Sequence, residues 1–501
     1  MKMKNNIFKA VTAIVVFTTF FSCSDDFIER KPAYSIDSEN YFNSKEEYDF
    51  ALIAVYDILQ STYVNVLLGE IASDNTLAGG ESQTDVIGFQ QVDDMIHTPV
   101  NSNLRDVWNW MFAGVNRANF ILEFKDKTDF EGKEQVIAET RFLRAYFHFE
   151  LVKWFGGIPM KGDARFKLGD EKSIPRSTKE EVYASIEADL LYAIDNLSPT
   201  AAQTGRVTKG AAQALLGKAY LYQDKFAESA AVLENLITQT GGYSLVQDYT
   251  KIFEMEGENG VESLLEVQYT DVEGAGFGCL QCSEGNVAVG FMGVRNFDGP
   301  LFSSGYSFNI PTAETYNAFD AADKRRDVAI LDIAAFAAAN TSWSNGNGVT
   351  FGQGNEDTGY FNRKYLPRKR SAEAQGDLNL TNPNNYRAIR YADVLLMAAE
   401  AFNRGNIDDA KALGYLNQVR RRAFGDTNHD INATGSTLTT FIWQERRLEL
   451  VGEGHRFFDL VRTGRAAIEI DGFTANKNEV FPIPFEEIQF SNGLWQQNPG
   501  Y

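Results

Sequence analysis

Carboxylates and arginines are densest between Glu445 and Arg462. Glu445, Glu449 and Glu453 recur every four residues, with Arg446, Arg447, Arg456, Asp459 and Arg462 between and after them. Two kinds of chemistry use such residues. A glycosidase needs two carboxylates at a set separation, one of them kept protonated. A structural ion network needs carboxylates at helical i, i+4 and i, i+3 spacing and arginine forks to hold them. The spacing predicts the second, with pairing to Arg446, Arg447 and Arg462 along the helix or on its neighbours. His148 and His455, each flanked by aromatics, are expected to be packed core histidines. No barrel or sandwich pattern is visible to present a catalytic acid pair, so a non-enzyme is expected.

Three other clusters could do chemistry. Asp426-Thr427-Asn428-His429-Asp430 begins like a calcium loop, but Ile431 stands where glycine is wanted and Thr437 where a bidentate Glu belongs. A turn between helices is the expectation, with an opportunistic calcium ion as the alternative; no other metal and no cofactor is expected. Cys279-Leu280-Gln281-Cys282 is a lone CxxC. Zinc would need two more soft ligands and a redox dithiol would need a strand-to-helix start, so a short-loop disulfide is favoured. Arg363-Lys364 and Arg368-Lys369-Arg370 form the one basic run. As a solvated face it does nothing specific; for a uronic-acid glycan it would be the docking patch, weakened by salt.

The elements that must position these residues begin after a targeting segment. Lys2, Lys4 and Lys9 precede an apolar stretch, Ala10 to Phe21, too short to span a bilayer and suited to a signal peptide, residues 1–22. Ser22-Cys23 resembles a lipoprotein cleavage site, which would make Cys23 the acylated first residue of the mature chain; several acyl chains anchor stably where one is marginal. A plain secretory signal with an incidental Cys23 is the alternative. Residues 23–40 read as a linker, with Ser24-Asp25-Asp26 a short acidic tract. The net charge is −21, and −24 once residues 1–22, with three lysines and no acid, are removed. Such a surface repels phosphates, so nucleic acid is excluded as a partner.

From Tyr41 the pattern is helical. Tyr48, Ala51, Leu52, Val55 and Leu59 make one stripe, and the aromatic run Ala138 to Trp154 ends at Gly156-Gly157-Ile158-Pro159. Ser177-Thr178-Lys179-Glu180 reads as a capping box opening a helix with Val182, Ile186, Leu190 and Ala193 inward. Ala211 to Tyr220, followed by Phe226 and Leu233, resembles a tetratricopeptide repeat. Tyr391 to Ala423 repeats the plan, with Ala398 and Ala401 on its first helix, Ile407 matching Phe226 and Ala410 on its second helix. Between them, residues 271–380 hold 14 of the 41 glycines, and helical periodicity survives only over 312–322 and 327–339. Long irregular loops on a rigid body usually carry function.

Several stretches, in order, resemble the SusD/RagB family: Arg141-Phe142-Leu143-Arg144-Ala145-Tyr146-Phe147-His148-Phe149; Arg390-Tyr391-Ala392-Asp393 running to Ala401; Glu445-Arg446-Arg447-Leu448-Glu449-Leu450 into Glu453-Gly454-His455-Arg456-Phe457-Phe458; and the closing Pro482-Ile483-Pro484 with Gln497-Asn498-Pro499-Gly500-Tyr501. The resemblance covers essentially the whole mature chain. It implies a mainly α fold, a tetratricopeptide-like helical-repeat scaffold over 41–501 with long irregular loop insertions. It also implies an outer-membrane, lipid-anchored, cell-surface protein that acts as a lid on a SusC-like TonB-dependent transporter and delivers oligosaccharide to it. A peptide-binding branch of the family, or a bare protein-interaction scaffold, are the alternatives.

Sugar recognition needs flat apolar faces for pyranose C–H groups and planar polar groups for hydroxyls. Trp108, Trp110, Trp154 and Trp443 fall in helices and Trp495 in the family-like tail, so all five are expected to pack inward. Trp343, in Asn340-Thr341-Ser342-Trp343-Ser344-Asn345-Gly346, has no apolar neighbour in the chain. It is therefore the expected platform, with Phe277 and Phe297 as companions, Arg295 and Asp298 as hydroxyl partners, and Phe89 from the 74–94 loop.

Overall fold

The inward stripe Tyr48, Leu52 and Val55 buries helix α1 (Lys45–Asp57) and runs on into α2 (Tyr63–Ile71), buried along its whole length. The computed structural model describes residues 40–274 and 276–501; the signal segment, Cys23 and the linker to 39 lie outside the described residues. Asn101 caps α3 (Ser102–Glu123) by accepting from the amides of Asn103 and Leu104. Helix α4 (Lys133–Phe155) stops at Gly156, whose φ of +71° favours glycine. Helix α5 (Lys179–Asn196) opens with the predicted capping box shifted by one residue: Thr178 Oγ1 accepts from the Glu181 amide at 3.2 Å, and Glu181 accepts from the Thr178 amide at 2.8 Å. Then come α6 (Lys209–Leu221) and α7 (Phe226–Asn235), and from α3 onward each helix packs on the next.

The second repeat is α8 (Tyr391–Arg404) and α9 (Asp409–Phe424), followed by α10 (Gly435–Leu450) and the short α11 (Arg456–Arg462). Although well over a hundred residues separate the repeats, α7 packs directly on α8, so the interrupted pairs stack as a continuous array. Gly217 lets α6 approach α7: a Cβ there would lie 2.4 Å from Leu233 Cδ2. Ala398 and Ala401 are buried as expected, but Ile407 and Ala410 are exposed, and Ala412, Leu416 and Val419 seat the second helix.

The stretch 271–380 is less loose than its glycines imply. Three two-stranded antiparallel ribbons serve it and its flanks: β1 (Thr76–Gly79) pairs with β3 (Phe308–Pro311), β2 (Ser263–Val267) with β6 (Tyr386–Arg390), and β4 (Ile330–Asp332) with β5 (Tyr360–Asn362). A small separate core, including Val294, Phe297, Phe302, Ile310, Phe361 and Leu366, holds the insertion together.

The charged segment is a buried network in which Asp459 pairs with Arg462 three residues on, at 2.8 Å, as the spacing suggests, whereas the three glutamates find cations from elsewhere in the chain. Glu445 and Glu449 reach Arg325 at 2.7 and 2.9 Å; Glu449 also takes Arg422 at 2.6 Å, and Glu453 takes Lys364 at 2.7 Å. Arg390 sits among Glu262, Glu449 and Glu453 at 2.7–2.9 Å. Arg446 grips Asp393 and Asp459, Arg462 grips Glu400, and Arg447 joins Arg456 on Asp74. The basic run is therefore not a solvated face. Lys364 and Arg368 are buried, Arg368 against Glu254 at 2.9 Å; Lys369 is exposed, and Arg370 donates to the Asp377 and Gln375 carbonyls. Burial pushes His148 and His455 down to about 3, so both are neutral packing groups.

One buried carboxylate, Glu70, has no ion pair among the described residues. Glu70 accepts from the Gly454 amide at 2.7 Å, while its second oxygen has no partner among the described residues. Burial raises its pKa from 4.5 to about 7, against the opposing pull of the Gly454 and Gly452 amides. Because its pKa is higher folded than unfolded, Glu70 favours folding fully below about pH 4.5 and loses that contribution as pH rises through 7. Glu70→Gln keeps the acceptor and removes the charge. It should leave the urea midpoint unchanged at pH 4 and raise stability by up to about 3 kcal/mol at pH 8; an equal midpoint at pH 8 contradicts the assignment.

Candidate functional site

Five of the six residues expected to meet a ligand lie on the 271–380 insertion, and Phe89 does not. The Asp298 and Thr350 backbones pair at 2.9 and 3.0 Å, bringing the 341–348 turn beside residue 298. That turn runs through left-handed backbone at Ser344, Asn345 and Gly346, which suits Asn and Gly. It leaves the Trp343 ring half-buried, with its indole N–H donating to Asp298 Oδ1 at 3.1 Å. The bridge between Phe302 and Arg368 carries Lys369 to the same place, its Nζ 5.9 Å from the Trp343 ring centroid. Trp343, Asp298 and Lys369 thus form one cluster.

Three residues before Asp298 in the chain, Arg295 forms a second cluster. It donates to the Tyr306 carbonyl at 3.0 Å and lies 3.5 Å from Glu81 and 3.7 Å from Asp85, linking the insertion to the 74–94 loop. Phe277 is 62% exposed, with its ring 6.1 Å from that of Tyr306. Two residues on, Cys279 and Cys282 are disulfide-bonded, with Cα atoms 5.3 Å apart.

Two expected members are displaced. Phe297 is 7% exposed and packs on Phe302 and Phe336, so it belongs to the small core. Phe89 is 2% exposed, edge-on to Phe291 and Phe308, and pins the 74–94 loop to β3. Neither offers a face to a ligand. Tyr306, Glu81, Asp85 and Lys369 take their places at the site; only Lys369, in the basic run, had a signal in the sequence. Trp108, Trp154 and Trp495 are buried, whereas Trp110 and Trp443 are half-buried.

The carboxylates of the calcium-like loop are engaged locally at the surface: Asp426 Oδ1 accepts from the Asn428 amide at 2.8 Å and meets His429 at 2.9 Å, and Asp430 pairs with Arg421. Among the described residues, no three His, Cys, Asp or Glu side chains converge as a metal set. An aromatic platform flanked by a carboxylate and an ammonium can bind a hydroxyl-rich ligand.

Comparison with known proteins agrees with the fold. A profile described as "SusD family" matches residues 239–501, and one described as "Starch-binding associating with outer membrane" matches residues 26–221. The "SusD-like protein P2" of Formosa agariphila is 27% identical over 98% of this chain and 99% of its own. A solved "Laminarin binding SusD-like protein" is 34% identical with a TM-score of 0.83, covering 92% of this chain and 100% of its own. Surface glycan-binding protein A from Bacteroides thetaiotaomicron, solved in complex with laminarihexaose, is 26% identical with a TM-score of 0.81, covering 91% of this chain and 99% of its own.

Proposed function

The chain belongs to the SusD family, and we propose that it is a surface glycan-binding lipoprotein of the outer membrane. It is anchored at Cys23, holds an oligosaccharide without cleaving it and passes it to a partner TonB-dependent transporter. The observation that carries this reading is the Trp343 ring, presented from a polar turn with its N–H fixed by Asp298. A planar face of that kind stacks on pyranose C–H groups, and the Lys369 ammonium stands 5.9 Å from its centroid. The helical body beneath is stiffened by its buried ion network, so a preformed site and little backbone change on binding are expected. Outer-membrane association is supported by the name of the profile over residues 26–221. The named ligands of the relatives make laminarin-type β-glucan the first to test.

Native gel electrophoresis through laminarin, other neutral glucans and acidic polysaccharides tests the reading. The protein should be retarded by at least one neutral glucan, with no release of reducing ends. Migration unchanged by every polysaccharide, together with binding of peptides, would move the chain to the peptide-handling branch; hydrolysis by the pure protein would make it an enzyme.

A further inference from the structure

A second concavity, of about 410 Å3, lies outside the insertion, between α3, the 159–171 loop and the C-terminal segment. That volume is in the range of small-ligand sites. Its walls are aromatic. Trp108 and Phe112 stand one turn apart on α3 with rings 4.7 Å apart; Phe166 meets Phe112 edge-on at 5.9 Å, and Trp495 lies 6.2 Å from Trp108. The rings are held in place: Trp495 donates its indole N–H to the Ile174 carbonyl at 2.8 Å, and the Phe166 amide donates to Asn116 Oδ1 at 2.8 Å.

Polar groups reach the same space with unused capacity. The Asn116 side-chain NH2 and the whole Asn109 amide have no partner among the described residues, although both side chains line the cavity. Glu487 lines it as well, hydrogen-bonded to Trp108. The other two carboxylates at its rim are engaged locally: Asp170 accepts from Lys161 and from the Lys167 amide, and Glu171 accepts from the Gly169 amide.

We infer that this cavity is a second binding site, for a neutral saccharide of one or two rings, separate from the Trp343 platform. Aromatic walls supply faces for sugar C–H groups, and planar amides with free N–H groups supply paired contacts to hydroxyls. The charge pattern favours a neutral guest over a cation. Two of the three acids are spent on the loop, and burial raises the pKa of Glu487, which disfavours its charged form. No residue is shared with the insertion site, so the inference stands whether or not Trp343 binds glycan.

Protein labelled with 5-fluorotryptophan gives separate 19F signals for its six tryptophans, assignable by single Trp→Phe substitutions. Titration with glucose, laminaribiose and laminarihexaose should shift the Trp108 and Trp495 signals both in the unaltered chain and in Trp343→Ala. Asn109→Ala, at an exposed position, should weaken that response at least fivefold. Ala113→Phe, which fills the cavity, should abolish it. If the Trp343 signal moves while Trp108 and Trp495 stay still, the second site is overturned and the platform stands. If Trp108 and Trp495 move while Trp343 is silent, the second site stands and the platform reading fails. No movement of Trp108 and Trp495 with any of the three sugars overturns the proposal.

Discussion

Arg390→Ala should destabilise the helical body by about 3–5 kcal/mol, the cost of stranding buried carboxylates when their shared cation is removed. Arg390 is fully buried and spends every donor: Nε on Glu453 at 2.9 Å, Nη1 on Glu262 and Glu449 at 2.7 and 2.9 Å, and Nη2 on Glu453 at 2.7 Å and the Glu449 carbonyl at 3.2 Å. It is also the residue where β6 becomes α8, so these contacts tie the strand returning from the insertion to α10. Arg422 and Lys364 would still reach Glu262, Glu449 and Glu453, which is why the loss stops short of unfolding the chain. Arg390→Lys keeps the charge but not the fork, so its loss should be intermediate. Urea denaturation at pH 7 measures all three proteins. A loss under 1 kcal/mol for Arg390→Ala would mean that the neighbouring cations carry the network without it.

The difference between the network foreseen and the one found shows where sequence reasoning loses its grip. The spacing sets Glu445, Glu449 and Glu453 on one helical face, but the helix ends at Leu450, so only Glu445 and Glu449 share a face of α10 and Glu453 lies in the turn beyond it. Which cation meets which carboxylate depends on Arg325, Arg390 and Lys364 arriving from elements that helical periodicity cannot place. Local signals fared better. The Tyr48–Leu52–Val55 stripe is buried and α4 stops at Gly156; the capping box is off by one because Ser177 and Thr178 can both cap and only backbone geometry chooses. The two repeats were legible in the sequence as separate helix pairs, but the stacking of α7 on α8 across the insertion was not, because no local pattern says which distant helix will be the neighbour.

At the candidate site the same division holds. Trp343 stood out because its neighbours in the chain are polar, and a large ring without local apolar partners tends to stay partly outside. Phe89 and Phe297 gave no such signal: a phenylalanine in a glycine-rich loop has the same sequence appearance whether it faces solvent or plugs a small core, and both plug one. Tyr306 is invisible for the converse reason, being one aromatic in a serine-rich stretch whose exposure depends on Phe291 beneath it. The walls of the second cavity, Trp108 and Trp495, come from distant parts of the chain, and each alone reads as core.

Trp343→Ala should lower affinity for whichever glycan the protein retains by at least about thirtyfold, the roughly 2 kcal/mol that marks a central aromatic contact. The ring is only half-buried and lies outside the small core around Phe297 and Phe302, so its removal should leave the urea midpoint within about 0.5 kcal/mol. That separation makes the affinity loss interpretable. Trp343→Phe retains a face but not the N–H bond to Asp298, so it should recover most of the lost affinity if stacking dominates. Lys369 decides the charge class of the ligand. Against a neutral glucan, Lys369→Ala should cost little and added salt should change nothing; against a uronate or sulfated glycan, both should weaken binding together. Calorimetry with Trp343→Ala, Trp343→Phe and Lys369→Ala at low and high salt distinguishes these outcomes. Undiminished affinity in Trp343→Ala would remove the platform from the site, whatever the glycan.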